Sequence, residues 1–238
     1  LKILTTVSVK AVAEMVSDAQ LFVAQGFETL KIKVGLNPAE DIQRLKAIRE
    51  AVGDSISILS DANQGWDAKS ALQIIDSLAA QNLGIAMVEQ PVKAWDYANL
   101  KYVRDNSRIP IYADESAFNL RDVSKIIQAQ MADGINIKLM KSGGLYAARP
   151  IYDLATSHNL PCMAGCMLES PIGLAAMAAF VVGKSNIKFV DLDPIAMIKS
   201  NPVVGGVRLD GATLHLSTGA GLGIENIQGL IPVVTIGA

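Results

Sequence analysis

Ionisable side chains interrupt the aliphatic runs of this sequence at regular intervals, and their types suggest what they could do together. Lys31 and Lys33 close the second run, Asp61 and Asn63 the third, Glu89 the fourth, Asp114 and Glu115 the fifth, Lys138 the sixth, Glu169 the seventh, and Asp191 and Asp193 the eighth. From Lys33, the steps to Asp61, Glu89, Asp114 and Lys138 are 28, 28, 25 and 24 residues, each the length of a strand plus a helix. A lone strand-end charge could be no more than a solvated group, whereas seven successive strands ending in one point to a shared site. Asp61, Glu89 and Asp114, brought close, would repel unless a cation joined them. Oxygen ligands without His or Cys suit a hard divalent ion, Mg²⁺ first and Mn²⁺ as the alternative. A salt-bridge network with neighbouring lysines would serve the same charges. Lys31 and Lys33, two apart on a strand, point the same way. Lys138 would lie opposite them if strands two and six face each other in a ring of eight. A desolvated lysine near another cation has its pKa lowered toward that of a useful base, so Lys33 and Lys138 suit a two-base proton transfer. Charge compensation of the carboxylates would suffice to explain Lys31.

The elements that must position these groups follow from periodicity. Eight short aliphatic runs, at 4–9, 29–34, 56–59, 84–88, 109–113, 134–138, 160–164 and 187–190, read as strands. Amphipathic stretches such as 39–52, 68–81 and 145–158 lie between them and open near Pro, Asp, Ser or Gly, as helices do. Eight βα units in a chain of about 250 residues predict a (β/α)₈ barrel of the TIM type, whose strand ends converge on one mouth. A doubly wound sheet is the runner-up, but no G-x-G-x-x-G opens a helix. We expect the catalytic barrel to span 1–204 and a Gly-rich tail, 205–238, to pack back on it or on something outside the chain; Val207, Leu209, Leu214 and Leu216 give the tail patches of period two.

The composition agrees with this division. In 238 residues, 50% are hydrophobic, 5% aromatic and 18% charged, with a mean hydropathy of +0.31, which suits aliphatic layers between helices and a buried sheet. A net charge of −2 argues against nucleic acid or an anionic membrane as the main partner. No apolar run reaches the roughly 18 to 20 residues that a membrane span requires, so a soluble, cytoplasmic chain is expected, and a homo-oligomer. Cys162 and Cys166 are too few for a disulfide framework or zinc site and read as small buried hydrophobes.

The motifs LKIKVG at 30–35, SDANQGW at 60–66, VEQPV at 88–92, ADES at 113–116 and INIKLMKSGG at 135–144 resemble, in order and spacing, the muconate-lactonising subgroup of the enolase superfamily. The resemblance covers the whole chain. It implies that Asp61, Glu89 and Asp114 ligate Mg²⁺, that Lys33 and Lys138 are the acid/base pair, and that Lys31 assists near the substrate carboxylate. Such sites use a lysine or histidine base and Mg²⁺ to stabilise an enediolate.

Within the subgroup, VDLDP at 190–194 resembles the D-x-D motif with which dipeptide epimerases hold a substrate ammonium, which assigns Asp191 and Asp193 to substrate binding. A turn or helix cap is the plainer explanation of the same pair. CMLES at 166–170 also resembles those enzymes, with Glu169 touching substrate or supporting the site from behind. The resemblance thus implies a Mg²⁺-dependent dipeptide epimerase inverting the C-terminal residue by a 1,1-proton transfer. The alternatives are an N-acylamino-acid racemase or o-succinylbenzoate synthase and, from another class, a non-catalytic barrel fragment. Family members carry an N-terminal α+β capping domain that nothing before Leu1 supplies, so we expect an excised barrel or a cap that is a separate piece.

Overall fold

A computed structural model describes residues 1–229. The chain alternates β1 (Thr5–Val7), α1 (Val12–Ala24), β2 (Thr29–Lys33), α2 (Pro38–Val52), β3 (Ser57–Asp61), α3 (Ala68–Ala80), β4 (Ile85–Glu89), α4 (Tyr97–Asn106), β5 (Ile111–Ala113) and α5 (Leu120–Ala129). There follow β6 (Gly134–Lys138), the short α6 (Leu139–Ser142), α7 (Leu145–Ser157), β7 (Cys162–Gly165), α8 (Pro171–Val181) and β8 (Ile187–Val190). The eight strands form one parallel sheet in sequence order. The sheet curls back on itself, because the Leu4 amide donates to the Val190 carbonyl at 2.8 Å and brings the two ends together. This α/β architecture is consistent with a TIM-type barrel.

Local chemistry sets the helix starts. Asn37 caps α2 by accepting from the amides of Ala39 and Glu40, with Pro38 in the first turn, and Ser170 and Pro171 do the same for α8. Strand alternation then divides the apolar residues into two layers. One packs the outer face of the sheet on the helices, with Ile32, Ile58, Val88, Ile111 and Ile135 among its members. The other, Leu4, Leu59, Met87, Tyr112 and Met163, is a separate inner cluster. The rings of Tyr112 and Phe189 meet edge to face within this inner layer, with centroids 6.1 Å apart. Gly134 makes room for Tyr112, since a Cβ there would stand 2.4 Å from its ring.

The eighth unit departs from the repeat. After β8 comes a single 3-10 turn, Pro194–Ala196, followed by β9 (Val203–Gly205), β10 (Val207–Asp210), β11 (Thr213–Leu216) and β12 (Ile224–Ile227), with no α-helix among the described residues. Pro202 and positive-φ glycines at 205, 206 and 211 favour turns and extended chain there. β10 and β11 form an antiparallel hairpin pairing Leu209 with Leu214, while β12 pairs with β9. The hairpin lies on the first residues of the chain, with the Leu214 amide donating to the Leu1 carbonyl at 2.8 Å and the Ile3 amide to Ala212 at 3.0 Å. β9 starts just before the boundary expected at 204/205, and 230–238, the last part of the expected tail, lie outside the described residues. None of the helices described is long and apolar enough to cross a membrane.

Candidate functional site

Parallel register lines up the charges. Lys33 pairs with Asp61 across β2 and β3, and Asp61 with Glu89 across β3 and β4, so three successive strands end on one row. Lys138 ends β6. Asp114 follows β5 by one residue, and Asp191 and Asp193 lie just past β8 rather than on it. Above the row opens a cavity of about 520 Å³, which Lys33, Lys138, Asp114 and both of the later aspartates line. Asp61 and Glu89, on the same row, are fully buried, with Leu59 and Met87 of the inner apolar layer two residues before them on the same strands.

As the side chains stand, the carboxylates are matched with lysines. Lys33 Nζ lies 2.6 Å from Asp61 Oδ2 and donates to Asn63 Oδ1 at 2.7 Å. Lys31 bonds to Asp191 and lies 3.6 Å from Asp61 and 3.8 Å from Glu89. Lys138 Nζ lies 2.6 Å from Asp114 Oδ2. Lys141 bonds to the other Asp114 oxygen and donates to the backbone carbonyls of Asp114 and Asn136 at 2.6 and 2.9 Å. Glu89 accepts from Asn136 Nδ2 at 2.6 Å through Oε1, but its Oε2, the atom nearest Lys31, is buried and has no hydrogen-bond partner.

Among the described residues no three Asp, Glu, His or Cys side chains converge to hold an ion in this arrangement. Here Asp61 and Asp114 are paired with lysines, while Glu89 is bonded by Asn136. The charge balance nevertheless fits a divalent cation. Six carboxylates (Asp61, Glu89, Asp114, Glu115, Asp191 and Asp193) meet four ammonium groups (Lys31, Lys33, Lys138 and Lys141), leaving an excess of two negative charges when all are ionised. The orphaned Glu89 oxygen and the all-oxygen donor set fit a hard ion as well.

The titration behaviour follows from the same balance. Burial, with Asp61 next in importance, pushes Glu89 up from 4.5 to about 8. Burial would also raise Asp114, but Lys141 and Lys138 outweigh it and hold that carboxyl well below the usual range. Burial and the charge of Asp191 raise Asp193. The Lys138 ammonium corrects an expectation. Burial favours its loss of a proton, but Asp114 and Glu89 overcome that, and its pKa is raised rather than lowered. Carboxylates outnumber cations here, so a lysine near other lysines is still held protonated.

The other expected residues divide. Asp193 Oδ2 accepts from the Thr6 amide at 2.7 Å and Thr5 Oγ1 at 3.2 Å; it ties the turn after β8 to β1 and makes no side-chain cap to the 3-10 turn. Asp191 is engaged by Lys31 and has a buried Oδ1 without a partner. Glu169 is buried but does not line the cavity; its Oε1 accepts from the Met167 amide at 3.2 Å, and Oε2 lies against Gly173 of α8. β7 stops at Gly165, so Cys166, Met167 and Leu168 reach the cavity in its place. Cys166 is thus half-buried at the mouth, not a core residue like Cys162. Lys141 and Asn136 are residues that the sequence argument does not single out. Asn136 stands two before Lys138 on β6, and alternation alone would have aimed it at the same face. Lys141 comes back under the site because α6 turns the chain immediately after Lys138.

The enolase C-terminal domain-like family model matches residues 14–228. The chain belongs to that family. It is 42% identical over 223 residues to the L-Ala-D/L-Glu epimerase of Clostridium acetobutylicum, covering 94% of this chain and 62% of that protein. The chain therefore spans about three fifths of the length of that relative. Its fold is similar to the solved substrate-liganded complex of the L-Ala-D/L-Glu epimerase from Bacillus subtilis, with a TM-score of 0.93 and 42% identity over 95% of this chain and 64% of that one. It is similar, too, to the dipeptide epimerase from Enterococcus faecalis V583 complexed with Mg and the dipeptide L-Leu-L-Tyr, at a TM-score of 0.92, 41% identity and the same coverage.

Proposed function

We propose that this chain carries the catalytic residues of a Mg²⁺-dependent dipeptide epimerase, with Mn²⁺ as a substitute ion, that inverts the α-carbon of the C-terminal residue. The observation that carries the reading is one cavity lined by both Lys33 and Lys138 above the row of carboxylates. Relatives that bind Mg and dipeptides support it. Asp61, Glu89 and Asp114 would hold the ion, whose Lewis acidity offsets charge that builds on a substrate carboxylate when the α-proton leaves. The chain's own groups do the rest. One lysine Nζ, unprotonated, takes the α-proton, and the other, as ammonium, returns one from the opposite face. A cation held by Asp114 and Glu89 would offset the negative charge that keeps Lys138 protonated, and burial would then favour its neutral form. The inner apolar layer that precedes the row on β3 and β4 keeps bulk water from exchanging those protons from that side. Asp191 and Asp193, on the wall formed by the turn after β8, would receive the substrate's ammonium.

A second reading rests on Asp191 being engaged by Lys31. A substrate ammonium must compete for that carboxylate, whereas an N-acylamino-acid substrate brings no such cation, and the chain would then be a racemase of acylated amino acids. The test is α-deuteration in D₂O with Mg²⁺, read by mass, over a dipeptide library and its N-acetylated counterparts. Lys33→Ala should stop exchange from one epimer and Lys138→Ala from the other. Exchange confined to acylated substrates selects the racemase, and exchange of both epimers through a single lysine refutes the two-base assignment.

A further inference from the structure

The turn after β4 is built around Gln90, a residue that the roles above leave unused. It is fully buried and has a φ of +37°, in the left-handed region that a non-glycine residue rarely enters. The turn has a consequence for hydrogen bonding. β4 and β5 pair in register only at Val88 with Ile111 and Glu89 with Tyr112, and the Gln90 amide adds a bond to the Tyr112 carbonyl at 2.8 Å. In a parallel ladder the next bond would run from the Asp114 amide to the Gln90 carbonyl. That carbonyl has swung to the other side, where it accepts from the Gln64 amide at 2.8 Å in the turn after β3.

The side chain takes over the lost bond. Gln90 Oε1 accepts from the Asp114 amide and from the Ser116 amide, both at 3.0 Å. Nε2 donates to the Val92 carbonyl at 2.9 Å and to Ser116 Oγ at 2.8 Å. A primary amide has two donor and two acceptor positions, and all of them are filled.

We propose that Gln90 is a positioning residue for the metal-binding carboxylates, its side chain replacing the missing ladder bond from the Asp114 amide to its own carbonyl and so setting the separation of Glu89 and Asp114 before a cation arrives. The inference rests on the reading of Asp61, Glu89 and Asp114 as holding a divalent cation. A small ion that demands near-octahedral geometry gains most from carboxylates whose backbones are already fixed. Asn136 and Lys138 hold only the carboxylate ends, and Lys141 ties Asp114, backbone included, to β6, whereas Gln90 joins the segments that bear Glu89 and Asp114 to each other.

The experiment is a calorimetric Mg²⁺ titration of the whole chain after treatment with EDTA, at one pH. Gln90→Met keeps the length of the side chain and removes all four bonds; it should weaken Mg²⁺ binding by about tenfold or more, the usual cost of losing partners that orient metal ligands. Val103→Ala, at a buried apolar position on α4 whose side chain has no polar atom to join this bond network, controls for general loss of stability and should bind as the unmutated chain does. Should Gln90→Met not fold, Ser116→Ala, which removes one of the four partners, should weaken binding by about threefold. Unchanged affinity in Gln90→Met, or in Ser116→Ala where that variant is the one read, overturns the inference, as does an equal loss in Val103→Ala. If the unmutated chain binds no Mg²⁺, the metal reading fails and the inference with it.

Discussion

Glu89 makes the metal-free chain sensitive to pH in a direction that can be worked out. Its carboxyl ionises near 4.5 when exposed and near 8 in the fold, where burial and the neighbouring Asp61 disfavour its charge. The folded state therefore holds a proton that the unfolded state releases. Stability from this group is complete below pH 4.5, falls as the pH rises and is gone above about 8. At about 1.4 kcal/mol per pH unit, the whole interval is worth on the order of 5 kcal/mol, of which about 3 kcal/mol falls between pH 5.5 and 8. For a chain of this size that is a drop in Tm of about 6–12 °C. The assay is thermal and urea unfolding in EDTA at the two pH values, for the unmutated chain and for Glu89→Gln, which keeps the shape and cannot ionise. Glu89→Gln should lose most of the slope, and saturating Mg²⁺ should flatten it in the unmutated chain by stabilising the ionised carboxylate. Equal slopes in the two proteins would refute the argument, because Glu115 and Asp193, also raised by burial, would then carry the dependence.

Asp114→Asn should abolish Mg²⁺ binding by calorimetry and, with Lys138 and Lys141 left buried without their counter-ion, cost about 3–5 kcal/mol in urea unfolding of the metal-free protein. Asp193→Asn should lower kcat/KM for a free dipeptide by about 2–5 kcal/mol in transition-state binding and affect the N-acetylated analogue far less; equal losses would remove ammonium recognition from its role. Gly35→Ala should destabilise the chain as measured by its urea midpoint, because φ is +103° there and a Cβ would stand 2.2 Å from the Ala62 carbonyl oxygen, where the turns after β2 and β3 touch. Gly26→Ala, which also has positive φ but has nothing within 4 Å of its Cβ, should cost less, and equal effects would show that backbone conformation rather than contact decides.

The ordering of the site along the chain was legible in the residues themselves. Period-two alternation in Leu30–Lys33 aims both lysines at one face, and a recurring interval of a strand plus a helix makes the polar residues at strand ends neighbours in space. Both are properties of local geometry, which is why they survive without knowledge of any long-range contact. Tertiary structure decided what each charge meets. Lys31 is engaged by Asp191, 160 residues away, and not by the row on its own side alone. Glu169 turns back on its own loop because Ser170 and Pro171 start α8 immediately after it. Lys141 reaches Asp114 only because α6 folds beneath the mouth, and Gln90 matters only because a left-handed turn breaks the ladder beside β5. The sign of the Lys138 shift was likewise beyond a sequence argument, since it depends on how many carboxylates share a buried space with it. Pairing in a low-dielectric interior is set by distances of a few ångströms between distant segments, and no local pattern encodes them.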